Sequence, residues 1–100
     1  MKFEDIKMMP TEIPNGVQAI LKFGDDYELS IIRSDFSYGG SKGLYEIAVF
    51  KNGQLKELPG ITREGDTVKG YLSQEEVMGI VKKMHLVTGK EPKQVDFAGV

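Results

Sequence analysis

Residues Leu72 to Gly89 read LSQEEVMGIVKKMHLVTG, and the punctuation of this stretch decides the fold. The Ser73 hydroxyl can accept a backbone amide at the head of a helix, while Glu76 reaches back three residues later to complete a capping box. Leu72 and Val77 fit the hydrophobic staple that fixes the entry angle of the chain. Val77, Ile80, Val81, Met84 and Val87 recur at helical spacing on one stripe, and Lys82, Lys83 and His85 fall largely off it. Gly89 is placed for a left-handed cap, so the spacing predicts a helix over residues 74–88. A single amphipathic helix needs an apolar surface to cover its stripe, and the residues before it supply one.

Upstream, Val17, Ala19, Leu21 and Phe23 alternate with Gln18 and Lys22, the two-residue period of a half-buried strand. Gly24, Asp25 and Asp26 form a turn, after which Tyr27, Leu29 and Ile31 resume the alternation against Glu28 and Ser30. Leu44 to Phe50, LYEIAVFK up to its lysine, is nearly uninterrupted apolar sequence and suits a central strand covered on both faces. Asn52-Gly53 tolerates the positive φ angles of a type I′ turn, so Leu55 to Leu58 should fold back antiparallel until Pro59 and Gly60 end the strand. A further extended segment is expected at Thr67 to Leu72. The result is an α+β expectation: a mostly antiparallel sheet of four to six strands with one C-terminal amphipathic helix on one face.

Residues 1–15, punctuated by Pro10, Pro14 and Asn15, read as an extended lead-in whose Met8, Met9 and Ile13 can pack on the domain edge. Residues 90–100 read as a tail, or as an edge strand using Val95 and Phe97. The whole chain, 1–100, is expected to form one domain, a usual size for a core without cross-links. One helix leaves one sheet face uncovered, with Ile20 and Ile32 on it, and that face is a candidate surface for a second copy or another protein.

The chain has 40% hydrophobic and 28% charged residues, which sets it apart from disordered and membrane proteins. It has no cysteine, which excludes disulfides, thiolate metal sites and a cysteine nucleophile, and suits a cytoplasmic setting. The opening MKFEDIKMMPTEIP carries acidic residues and no apolar run of signal-peptide length, and no transmembrane stretch is expected. A formal net charge of −2 argues against general attraction to nucleic acid. Charge is uneven, however: residues 1–28 hold six acids against three lysines, and residues 79–100 four lysines against two acids. A solvated surface accounts for that asymmetry.

Residues 34–43, SDFSYGGSKG, break both periodicities and form a loop of unusual length for so small a domain. Glycines allow backbone amides to approach an anion, and Lys42 would neutralise it. A P-loop, however, needs four residues between its first glycine and GK[ST], then a helix, and a strand follows here. Asp35, Phe36, Tyr38, Gly39, Gly40 and Lys42 are therefore candidate binding residues in two readings. One is a protein-contact loop with aromatic anchors; the alternative is a nucleotide or phosphorylated-ligand site, binder or enzyme. Phe36 or Tyr38 folding over the sheet edge to close the core is the structural counterpart of both.

Elsewhere the structural role outweighs the chemical one. His85 is the one histidine, placed near a helix C-terminus where the dipole favours its charged form. Asp25, Asp26 and Glu28 lack the spacing of a calcium loop. Glu75 and Glu76 lie in a first helical turn, where capping already accounts for them. Lys82, Lys83, Lys90 and Lys93, with Phe97, are few for a nucleic-acid face. No catalytic residue, metal site or cofactor is expected. The expected partner is a protein, a homodimer included, with neither nucleic acid nor membrane.

The strings YGGSKGLYEIAV (38–49) and EGDTVKGYLSQEEV (64–77) resemble small uncharacterised proteins of tailed bacteriophages, over roughly residues 16–84. That resemblance implies a non-enzymatic accessory role inside an infected bacterium and transfers no catalytic residue.

Overall fold

The computed structural model describes residues 1–95. Three seven-residue strands, β2 (Val17–Phe23), β3 (Tyr27–Arg33) and β4 (Tyr45–Lys51), form an antiparallel centre. Their alternation works as expected: Ala19, Leu21, Phe23, Leu29, Ile31, Ile47 and Val49 point to one face and are buried. Across that face lies α1 (Gln74–Thr88), which contributes Val77, Ile80, Val81 and Met84 to the same core cluster. Both halves of the capping box form, Glu76 N donating to Ser73 Oγ and Ser73 N to Glu76 Oε1, each at 3.1 Å. Gly89 ends the helix at φ 69° with its amide on the His85 carbonyl.

Short strands close both edges of this centre. The outer edge of β2 takes β1 (Met9–Pro10) on one half and β7 (Pro92–Gln94) on the other. The outer edge of β4 takes β5 (Gln54–Leu55) and β6 (Val68–Leu72) in the same divided way. The sheet thus reaches seven strands, two of them only two residues long. The tail does form an edge strand, extended by the Val95 amide on the Ile20 carbonyl; Phe97 lies outside the described residues. In the β4–β5 hairpin Asn52 and Gly53 take φ 52° and 82°, as a type I′ turn requires.

Several local expectations give way to packing. The strand expected at 55–58 stops at Leu55, because Leu58 turns inward at 8% exposure. Ile61 follows at 2%, held by a turn in which Thr62 N donates to the Leu58 carbonyl and Leu58 N to Thr62 Oγ1. This plug fills the space under the last turns of α1, where Lys83 Nζ donates to the Gly60 carbonyl. Val87 sits on the helical stripe but is 56% exposed, because the final turn runs past the core. Ile13 is also exposed, and the lead-in is anchored instead by Ile6, which is buried, and by Phe3, whose ring lies 5.0 Å from that of Tyr45.

The Leu44 to Phe50 run is not covered on both faces. Tyr45, Ile47 and Val49 are buried, whereas Glu46, Ala48 and Phe50 on the outer face are only half-buried, since one helix covers one face. Ile20 and Ile32 on that outer face are half-buried too, and Ser30 between them accepts a hydrogen bond from Gln18 Nε2 at 3.1 Å. Among the described residues no helix is long and apolar enough to cross a membrane.

Two substitutions on α1 should move stability in opposite directions in urea unfolding. Ser73→Ala removes the cap and should cost about 1 kcal/mol. Gly79 is mid-helix and exposed with open space where a Cβ would stand, so Gly79→Ala should stabilise by about 0.5–1 kcal/mol.

Candidate functional site

The loop between β3 and β4 is built rather than slack. Ser34, buried at 7%, accepts the amides of Phe36 and Ser37 on its hydroxyl, and its own amide donates to Ser37 Oγ at 2.9 Å. Gly40 N donates to the Ser37 carbonyl, and the amides of Lys42 and Leu44 both donate to the Gly39 carbonyl, closing a short 3₁₀ turn over Gly40–Lys42. Tyr38 N donates to Glu46 Oε1 at 3.1 Å. These bonds spend the loop's amides internally, which removes the donors that an anion cradle needs.

The glycines serve close approach. A Cβ on Gly40 would collide with the Ser34 carbonyl, and one on Gly70 in β6 would collide with Tyr38 Cβ. The loop therefore lies directly on β6, with the Tyr71 amide donating to the Tyr38 carbonyl at 3.1 Å. This contact coincides with a bulge: Tyr45 pairs with Leu72 and Ile47 with Lys69, so three steps on β6 match two on β4. Tyr71 takes up the irregularity at φ 57°, a left-handed conformation uncommon for a tyrosine.

The outcome is an aromatic corner. Phe36, Tyr38 and Tyr71 are 80%, 61% and 58% exposed, so none of these rings closes the core. Lys42 Nζ stands 6.0 Å from the Tyr71 ring centroid, within cation–π range. Of the six candidate residues, Tyr38 and Lys42 are brought together around Tyr71, and Phe36 projects from the same loop. Gly39 and Gly40 support the corner from behind. Asp35 turns to another task, accepting Asn15 Nδ2 at 3.0 Å and tying the loop to the turn before β2.

Sequence reasoning missed Tyr71, which it placed in an ordinary strand. The available signal was Gly70, because an isolated glycine inside a strand marks a bulge or a close backbone approach.

The other candidates take structural roles. His85 Nδ1 is 2.8 Å from the Lys90 carbonyl, an acceptor, so Nδ1 carries the proton and the ring ties the chain beyond Gly89 to the helix end. His85 also borders a groove between α1 and β7, lined by Met1, Met78, Lys82, Glu91 and Pro92. That groove is wider than any recess at the aromatic corner, but its walls are mostly side-chain stems and its one histidine nitrogen Nδ1 is already committed. The Asp26 carbonyl accepts the Asn52 amide, and among the described residues no group of three or more histidine, aspartate or glutamate side chains could hold a metal ion. Lys22, Lys90 and Lys93 share a recess with Asp25 and Glu91, which breaks up any positive face.

No protein-family model, curated protein or solved structure matches the chain.

Gly40→Ala forces a Cβ into backbone that cannot yield, so it should cost about 1–3 kcal/mol. Gly53→Ala, strained by its φ alone with open space around it, should cost nearer 1 kcal/mol. Chemical denaturation of the two variants checks the order, and amide NMR of the Gly40 variant should show displaced resonances across residues 34–44.

Proposed function

We propose that the protein is a non-enzymatic accessory protein that binds a macromolecular partner through its aromatic corner. Phe36, Tyr38, Lys42 and Tyr71 are the contact residues. The observation that carries this reading is the pairing of solvent-exposed rings with a fully hydrogen-bonded support. Large rings on a surface are contact area with little side-chain entropy to lose, and a fixed backbone adds little further ordering cost on binding. Aromatic side chains are also what the centres of protein interfaces are enriched in.

The resemblance to tailed-phage proteins adds a setting: an accessory protein acting in the cytoplasm of an infected bacterium on a host or phage macromolecule. The alternative, a site for a nucleotide or another phosphorylated ligand, has less support. The amides of Tyr38, Gly40, Lys42, Gly43 and Leu44 already donate within the protein, leaving Lys42 as the main group for an anion.

Tyr38→Ala tests the proposal cleanly, because alanine keeps the Cβ that lies over Gly70 and the carbonyl that accepts from Tyr71. The immobilised protein should capture a partner from bacterial lysate that the variant fails to retain, with a melting temperature close to that of the parent. Undiminished capture by the variant would move the interface elsewhere.

A further inference from the structure

Tyr71 is held in a conformation that costs a non-glycine residue about 1–2 kcal/mol, and burial does not offset that cost because its ring is 58% exposed. Glycine would make the same bend without strain. The ring is therefore the part of Tyr71 that the fold itself does not need, and it stands beside Tyr38 and Lys42.

The chemistry of this corner narrows what it can receive. The phenol hydroxyls of Tyr38 and Tyr71 and the Lys42 ammonium offer hydrogen-bond donors around flat apolar ring faces. The nearby carboxylates are engaged, Asp35 with Asn15 and Glu46 with the Tyr38 amide. A cationic ligand would meet Lys42. A β-strand ligand needs an open main-chain edge, and both outer edges of the three long strands are already divided between short strands. A nucleic-acid strand needs a track of positive charge, and one lysine supplies little of it.

A polyproline II segment fits each of these conditions. Its backbone carbonyls are unpaired acceptors, its prolines carry no N–H to satisfy, and its rings pack between aromatic side chains. It is also extended before it binds, so little ordering entropy is lost on a surface that is itself rigid. We infer that the Tyr38–Tyr71 corner is a receptor for a proline-rich segment in the polyproline II conformation, with an acidic group of the ligand beside Lys42. This inference rests on the partner-binding reading of the same corner.

The test is an amide NMR titration of the full chain with three probes: a decaproline peptide with a free C-terminal carboxylate, a glycine-serine peptide of equal length, and a short oligothymidylate. Decaproline should shift resonances of residues 36–42 and 70–72, and the glycine-serine peptide should not. Tyr71→Gly should weaken decaproline binding about tenfold or more, the loss expected of a central aromatic anchor, while the melting temperature holds or rises. Tyr38→Phe, which keeps the ring and loses the donor, should also weaken it, and serves if the glycine variant fails to fold. Absence of shifts with decaproline, equal binding by both variants, or oligothymidylate moving the same resonances in decaproline's place would overturn the inference. Tyr38-dependent capture from lysate without any decaproline response would remove the polyproline ligand alone and leave partner binding standing.

Discussion

Burial of one helical stripe on one face of a three-stranded sheet is the interaction on which everything else in this protein depends. Val77, Ile80, Val81 and Met84 meet Ala19, Leu21, Leu29, Ile31, Ile47 and Val49, and all of these side chains are at most 5% exposed. Each large side chain so buried contributes about 1.5–3 kcal/mol from the removal of apolar surface from water. That contact fixes which faces of β2, β3 and β4 point inward, and a one-residue slip in any strand would turn its apolar set outward. The remaining segments are arranged around this layer: Ile6 and Phe3 at one end, Leu58 and Ile61 beneath the other end of the helix.

The sheet margins follow from the same constraint. Three long strands with open edges would expose rows of unpaired backbone groups, which invite pairing between molecules. Here four short strands cover them, two on each side, contributed by segments from distant parts of the chain. On the β4 side this cover brings a consequence for the surface. Because β6 must both pair with β4 and deliver Leu72 to the core at the entrance of α1, the ladder carries a bulge, and Tyr71 is turned out beside the β3–β4 loop.

A binding surface made this way differs from a flexible glycine loop. The glycines of SDFSYGGSKG suggest mobility when read alone, yet Gly40 and Gly70 are present where two backbones come too close for a Cβ. The hydroxyls of Ser34 and Ser37 complete the internal bonding of the loop. A loop whose amides are spent inside the protein recognises through its side chains, so its chemistry is that of tyrosine, phenylalanine and lysine.

Local chemistry was enough to establish α1 from Ser73 to Gly89, the Asn52-Gly53 turn and the alternating faces of β2, β3 and β4. Each of these signals acts over a few residues: a hydroxyl reaching an amide, a positive φ angle, a two-residue period. It also singled out Phe36, Tyr38 and Lys42 as surface candidates, because they interrupt that periodicity. Only the tertiary structure decided that β6 pairs with β4, that Tyr71 joins Tyr38, that Leu58 and Ile61 enter the core, and that Val87 stays outside it. The reason is that these outcomes depend on which distant segment fills a given edge or gap. Glu46 accepting the Tyr38 amide, or Gly70 yielding room to Tyr38, is a relation between chain positions that neither local propensity nor spacing encodes.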